Sequence, residues 1–213
     1  MIRPGRPKKG EEIIRRDQLL EHALRLFVEH GYSGLSLETI AREARVSLRT
    51  IYRQFGGKAE LFGAVIRQCS DLFVATLPLG PAQTKPLEEA LADFAREFLF
   101  RLTRPDMVRL RVQILAEAHR FPGLAAEFYG QGPERTLLRL SQFFAAYQQA
   151  GQISGIDDPA FLAGQFVSCL RGERFQRLQL GLEETPDEAE IERWARRAVG
   201  LFLRGCLVGK PQP

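Results

Sequence analysis

Between Ser36 and Lys58 the chain gathers hydroxyls, guanidiniums, a phenol and an ammonium at helical spacing. Ser36, Thr39, Ser47, Leu48, Arg49, Thr50, Tyr52, Arg53 and Lys58 suit the recognition of phosphates and base edges rather than the breaking of bonds. Ser36 can cap a helix by accepting from the free N–H groups of its first turn. Leu37, Ile40, Ala41 and Ala44 then give that helix one apolar face. Arg45 and Val46 make a tight connection, with Val46 placed to plug the angle between two helices. Ser47 offers a second cap, and Ile51 and Phe55 lie four residues apart on one side of the helix that follows. Its other side carries Leu48, Arg49, Thr50, Tyr52 and Arg53. A short helix with a narrow buried stripe and a polar, aromatic, basic outer face suits the DNA major groove, so 36–58 reads as a helix-turn-helix.

Catalytic constellations are missing from the sequence. It contains no Gly-x-Ser-x-Gly elbow, no His-Glu-x-x-His, no Gly-Lys-Ser/Thr phosphate loop and no spaced cysteine pairs. The chain therefore reads as a non-enzyme, with no cofactor or metal expected. Gly130-Gln131-Gly132 precedes a helix, but Pro133 removes an N–H that an anion would need, so the run reads as a hinge. Arg171, Arg174 and Arg177 share a helix face, and Glu173 four residues before Arg177 makes a solvated face the simpler reading. His22 and His30 have no ligand-spaced companions and read as surface residues.

The elements that must position these residues are all helical. The 213 residues carry a net charge of +4. Arg3, Arg6, Lys8 and Lys9 supply that excess within the first ten residues, which contain no acid. A basic arm on a neutral body is a footprint of nucleic-acid contact, and Arg3 and Arg6 are the residues expected to reach the phosphates or minor groove. Cys69, Cys169 and Cys206 lie far apart, without an export signal or a bilayer-length apolar run, so a cytoplasmic protein with no membrane partner is expected. Apolar periodicity and punctuation predict helices over 11–30, 58–77, 86–103 and 106–121. Further helices are predicted over 123–129, 134–150, 158–180 and 186–207. Thr185-x-x-Glu188 reads as a capping box for the last of these. The organisation is then an arm (1–10), a helix-turn-helix domain (11–57), a connecting helix and loop (58–82) and a helical domain (83–213).

The run Gly31-Tyr32, Leu37 to Ala44, Val46-Ser47, Thr50-Ile51-Tyr52-Arg53-Gln54-Phe55, Lys58 and Leu61-Phe62 resembles the DNA-binding domain of TetR/AcrR-family transcriptional regulators. The likeness covers about residues 12–66. It implies an all-α fold in which Tyr52 and Lys58 contact phosphates and Leu48, Arg49 and Thr50 reach bases. The family often has a small residue where this chain has Arg49, so base readout is expected to differ. Ala116 to Pro122, Phe128-Tyr129 and Gly132-Pro133-Glu134-Arg135 also resemble the C-terminal domain of the AefR-like branch.

The resemblance further implies a homodimer on a palindromic operator and a small apolar or aromatic ligand. Phe94, Phe98, Leu102, Val112, Glu117, Phe128, Phe144 and Tyr147 are the candidate ligand residues, although aromatics of this kind usually just pack. Phe166, Leu170, Phe175, Trp194, Ala198 and Phe202 are candidates for the dimer interface, because both last helices carry apolar stripes wider than one neighbour needs. The implied function is a ligand-released repressor. A regulator governed by a protein partner, and an all-helical carrier or enzyme, stay open as alternatives.

Overall fold

The computed structural model describes residues 9–78, 85–153 and 158–206, and every regular element among them is helical. In order these are α1 (Lys9–His30), α2 (Leu37–Glu43), α3 (Leu48–Phe55), α4 (Lys58–Val74), α5 (Leu87–Leu102), α6 (Pro105–Glu117) and α7 (Pro122–Tyr129). A π-helical turn (Gly130–Glu134) joins α7 to α8 (Arg135–Gln149), and α9 (Pro159–Gln179) and α10 (Glu188–Cys206) follow. Arg3 and Arg6 lie outside the described residues.

Two apolar cores form, and α4 belongs to both. Its first half gives Leu61, Phe62, Val65 and Ile66 to a core with Leu20, Phe27, Ile40 and Ile51. Leu110 and Ile114 of α6 and Leu124 of α7 complete that core, so the helix-turn-helix unit is sealed by helices from later in the chain. The end of α4 places Phe73 in a second core built from α5, α8, α9 and α10, which Leu77 just beyond it also joins. Any tilt of α4 must therefore disturb both cores.

The other side of α4 is clamped by the π turn and α8. Ser70 donates to the carbonyl of Gln131 at 3.1 Å, and Arg135 reaches Asp71 at 2.6 Å. Arg139 donates to the carbonyls of Leu77 and Pro78, which occupies backbone acceptors left free where α4 ends. Gly132 lies so close to α4 that a Cβ there would stand 2.9 Å from Ile66 Cγ2.

Three sequence expectations change. The Gly130–Pro133 run is not a hinge: Gly130 keeps helical angles, and the chain passes through a π turn that absorbs Pro133 without a break. The capping box of α10 sits two residues later than expected. The Asp187 N–H donates to Glu190 Oε2 at 3.0 Å, and the Glu190 N–H donates to Asp187 Oδ1 at 2.7 Å. The Arg171, Arg174 and Arg177 face is not simply solvated. Arg174 bridges Glu183 and Glu190 and lies over Trp194, and Arg177 pairs with Glu183. Arg171 instead lies over the Phe98 ring.

Candidate nucleic-acid interface

The two short helices are set by their caps. Ser36 Oγ accepts from the Thr39 N–H at 3.1 Å, and Ser47 Oγ accepts from the Thr50 N–H at 3.0 Å. Each such cap is worth about 1 kcal/mol. The hydroxyls of Ser36 and Thr39, and of Ser47 and Thr50, also bond to each other. In the turn between α2 and α3 the Val46 N–H donates to the Ala41 carbonyl at 2.9 Å. Arg45 adopts φ 54°, a left-handed conformation that costs a side-chain-bearing residue about 1 kcal/mol.

The helix α3 buries Ile51 completely and tucks Phe55 under Arg16 of α1, whose guanidinium lies 5.6 Å from the ring centroid. This fixes the opposite face outward. Arg49, Tyr52, Arg53 and Gln54 are exposed, Tyr52 by 52%. Thr50 is half-buried beside its cap. Leu48 is half-buried and packs on the N-terminal core, so only part of it faces the groove side. Lys58, at the start of α4, lies 4.3 Å from the centroid of the Tyr32 ring. Burial pulls its ammonium below the usual lysine value, and the nearby Glu117 carboxylate partly opposes that shift.

The expected ligand residues are divided between the two cores and the surface. Phe94, Phe98, Phe144 and Tyr147 are fully buried and packed ring against ring; Phe94 and Phe98 stack at 5.5 Å. Phe144 meets Phe166 at 6.0 Å. Phe128 packs on the other core, and Val112 is exposed on the surface. Glu117 turns toward the DNA-binding unit, where it binds Ser33. Only Leu102 lines a large groove. That groove encloses about 590 Å³ between α1, α4, α5 and α6, walled by Leu24, Val28, Leu72, Phe73, Leu102 and Met107. Sequence reasoning missed it because its walls come from four helices distant in the chain.

The candidate dimer residues divide in the same way. Phe166, Leu170, Phe175 and Phe202 are buried within the chain. Trp194 and Ala198 do line an outward groove along α9 and α10, together with Cys169 and Leu201. Phe161 and Leu201, which belong to the wide apolar stripes of the last two helices, project at 54% and 61% exposure.

A capped helix pair presenting a basic, aromatic face, fixed to a larger helical body, defines a helix-turn-helix DNA-binding protein. Residues 19–65 match the model for bacterial regulatory proteins of the tetR family, and residues 89–205 match the C-terminal domain of AefR-like transcriptional repressors. The chain belongs to the TetR family of transcriptional regulators. The regulator TcmR of Streptomyces glaucescens is 33% identical over 67% of this chain and 65% of its own length. The biofilm-operon negative regulator IcaR of Staphylococcus aureus is 26% identical over 54% of this chain and 60% of its own. The chain thus spans a little under two thirds of these curated relatives.

Among solved structures, the flavonoid-responsive regulator FrrA is 35% identical, covers 94% of this chain and 99% of its own, and superposes with a TM-score of 0.70. A TetR-family regulator from Mesorhizobium loti superposes at 0.77 with 27% identity, over 95% of this chain and the whole of its own. No helix among the described residues is long and apolar enough to cross a membrane.

Proposed function

We propose that this protein is a transcriptional repressor that binds a palindromic operator as a homodimer and releases it when a small apolar or aromatic ligand binds. The observation that carries the reading is the outward face of α3, where Arg49, Tyr52 and Arg53 stand exposed on a helix fixed by Ser47, Ile51 and Phe55. Two-fold pairing through α9 and α10, with Phe161, Trp194 and Leu201 at the contact, would set two such helices against half-sites about 34–36 Å apart. The flavonoid response of FrrA supports an aromatic ligand.

The ligand's seat in this reading is the groove between α1, α4, α5 and α6, since Phe94 and Phe98 of the aromatic interior stack on one another. A ligand that wedges α1 from α4 favours a state in which the paired α3 helices no longer match the half-sites. A coupling of about 1–3 kcal/mol suffices to change DNA affinity about 5–150-fold. The filled interior also favours a second reading, in which a protein partner delivers the signal.

Selection of bound fragments from random and genomic DNA at defined salt tests the proposal. A palindrome with one-turn half-site spacing is expected, and weak salt-sensitive binding without sequence preference overturns it. Thermal shifts against a panel of small apolar molecules separate the ligand reading from the partner reading.

A further inference from the structure

Two half-buried arginines of the C-terminal half have no ion-pair partner among the described residues. Arg111 of α6 lies 5.6 Å from the Phe128 centroid and 5.9 Å from that of Phe175. Arg171 of α9 lies 5.9 Å from that of Phe98. The Nε of each is buried and makes no hydrogen bond. Every other arginine cluster on α9 and α10 discussed above is neutralised by a carboxylate, yet among the described residues neither Arg111 nor Arg171 has an ion-pair partner. The two also repel each other: burial first and the Arg111 charge second push Arg171 down to about 10. Buried charges are ordinarily paired, because an unpaired one loses its hydration without compensation. A half-buried, like-charged pair set against aromatic rings favours the approach of an anion.

Phe98 links this pair to the apolar groove. Leu102 of α5 and Met107 of α6 line the groove near the corner where the two helices meet. One helical turn back along α5 from Leu102 is Phe98, which stacks edge-on against the groove residue Phe73 at 5.2 Å and carries Arg171 on its ring. One turn forward along α6 from Met107 is Arg111. Each step leads from a half-exposed groove residue to a buried group, Phe98 on α5 and the Nε of Arg111 on α6. A mainly apolar groove with two guanidiniums one helical turn beyond its wall residues matches a molecule with an apolar body and an anionic head.

We propose that Arg111 and Arg171 form the anion-reading end of the ligand site, and that the effector is an amphipathic organic carboxylate. This rests on the reading of the protein as a ligand-responsive regulator and names the chemical class of the ligand. The carboxylate accepts from both guanidiniums and removes their mutual repulsion, while its body lies along Phe73, Leu102 and Met107. Because Arg111 shares α6 with Glu117, which holds the DNA-binding unit at Ser33, drawing Arg111 toward Arg171 strains that contact directly.

The test is calorimetric titration and thermal denaturation of the full-length protein with 2-naphthoate and decanoate. Each is matched against its neutral amide at equal ionic strength. At least one acid binds saturably and raises Tm, its amide binds at least tenfold more weakly, and the better acid tells an aromatic body from an aliphatic one. Arg171→Met leaves the free protein as stable or more stable, since it removes an unpaired charge, and abolishes the acid response. Arg111→Gln serves as the independent second variant and weakens the acid at least tenfold. Equal binding of acid and amide, no saturable binding of either acid, or a response that survives both variants overturns the proposal. DNA selection is scored separately. A recovered palindrome with no acid binding removes only the carboxylate assignment, whereas acid binding without sequence-specific DNA affinity keeps the site and removes the regulator reading.

Discussion

The carboxylate of Glu117, at the end of α6, accepts from both the backbone N–H and the hydroxyl of Ser33, at 3.0 and 2.8 Å. Ser33 lies in the turn between α1 and α2, 84 residues earlier in the chain. The same corner is closed by Tyr32, whose ring meets Phe62 of α4 at 5.8 Å and Phe121 at 5.5 Å. Gly31 completes it: φ 72° ends α1, and a Cβ there would touch Glu117 Oε1 at 3.4 Å. Beyond the shared core of Leu110, Ile114 and Leu124, the helix-turn-helix unit is thus held to the C-terminal body by one charged and one aromatic contact on the loop that precedes α2.

The Glu117 contact should behave as a coupled pair. Ser33→Ala and Glu117→Ala each remove one partner of an exposed, charge-assisted hydrogen bond, so each is expected to cost about 0.5–1.5 kcal/mol in urea denaturation. The double variant should cost less than the sum by about 0.5–1 kcal/mol. Additive losses would show that the two residues act separately. Glu117→Gln, which keeps an acceptor but not the charge, should fall between wild type and Glu117→Ala.

The approach of the π turn to α4 can be tested by relief of crowding. Gly132→Ala drives a methyl against Ile66 Cγ2 in a buried contact, and overpacking of that kind costs about 1–3 kcal/mol. Ile66→Ala removes the opposing methyl at the cost of a cavity. In the Ile66→Ala background Gly132→Ala should become neutral or stabilising, measured as the shift in denaturation midpoint. An unchanged penalty in that background would place the strain in the π-turn backbone instead.

Cys69 gives the fold an alkaline limit. Burial pushes its thiol up to about 11, against the opposing pull of Arg101 and Arg104. A raised folded-state value means that the unfolded chain releases the proton first. The contribution is complete below about pH 9, and it declines as pH rises toward 11, by at most about 3 kcal/mol. Stability of Cys69→Ala should fall less steeply than that of wild type across this window. Alkylation of Cys69 in the folded protein should also be slow at pH 8. Rapid labelling would mean that the thiolate is accessible and the burial overstated.

What the sequence reveals depends on how local the cause is. The caps at Ser36 and Ser47 and the end of α1 at Gly31 are each decided within five residues, and all were legible. The turn at Arg45 was placed, but its left-handed angle was not, because no glycine or asparagine marks it. The Gly130–Pro133 run misleads for a related reason: residues that break isolated helices are tolerated where Ser70 and Ile66 of α4 hold them. The roles of Glu117, Arg111 and Arg171 were hidden, since charged residues on amphipathic helices read as solvent-facing until tertiary contacts aim them. Aromatic content likewise could not separate a cavity from a filled core; packing at Phe94, Phe98 and Phe144 decides that.

Arg49 and Tyr52 divide the labour of DNA binding in a way that two measurements can resolve. Both stand exposed on α3 and are one turn apart, but only Arg49 lies in its first turn, the end expected to enter the groove. If Arg49 reads a base edge, Arg49→Ala should cost about 1–3 kcal/mol at the selected operator and relax preference at one or two positions. Tyr52→Phe removes a neutral hydroxyl. It should therefore weaken all sequences to a similar degree and leave the slope of log K against log salt unchanged. Lys58→Ala removes a charge and should lower that slope by about one contact. A uniform loss for Arg49→Ala, accompanied by a reduced slope, would reassign Arg49 to a phosphate, and base readout would then fall to Thr50 and the exposed part of Leu48.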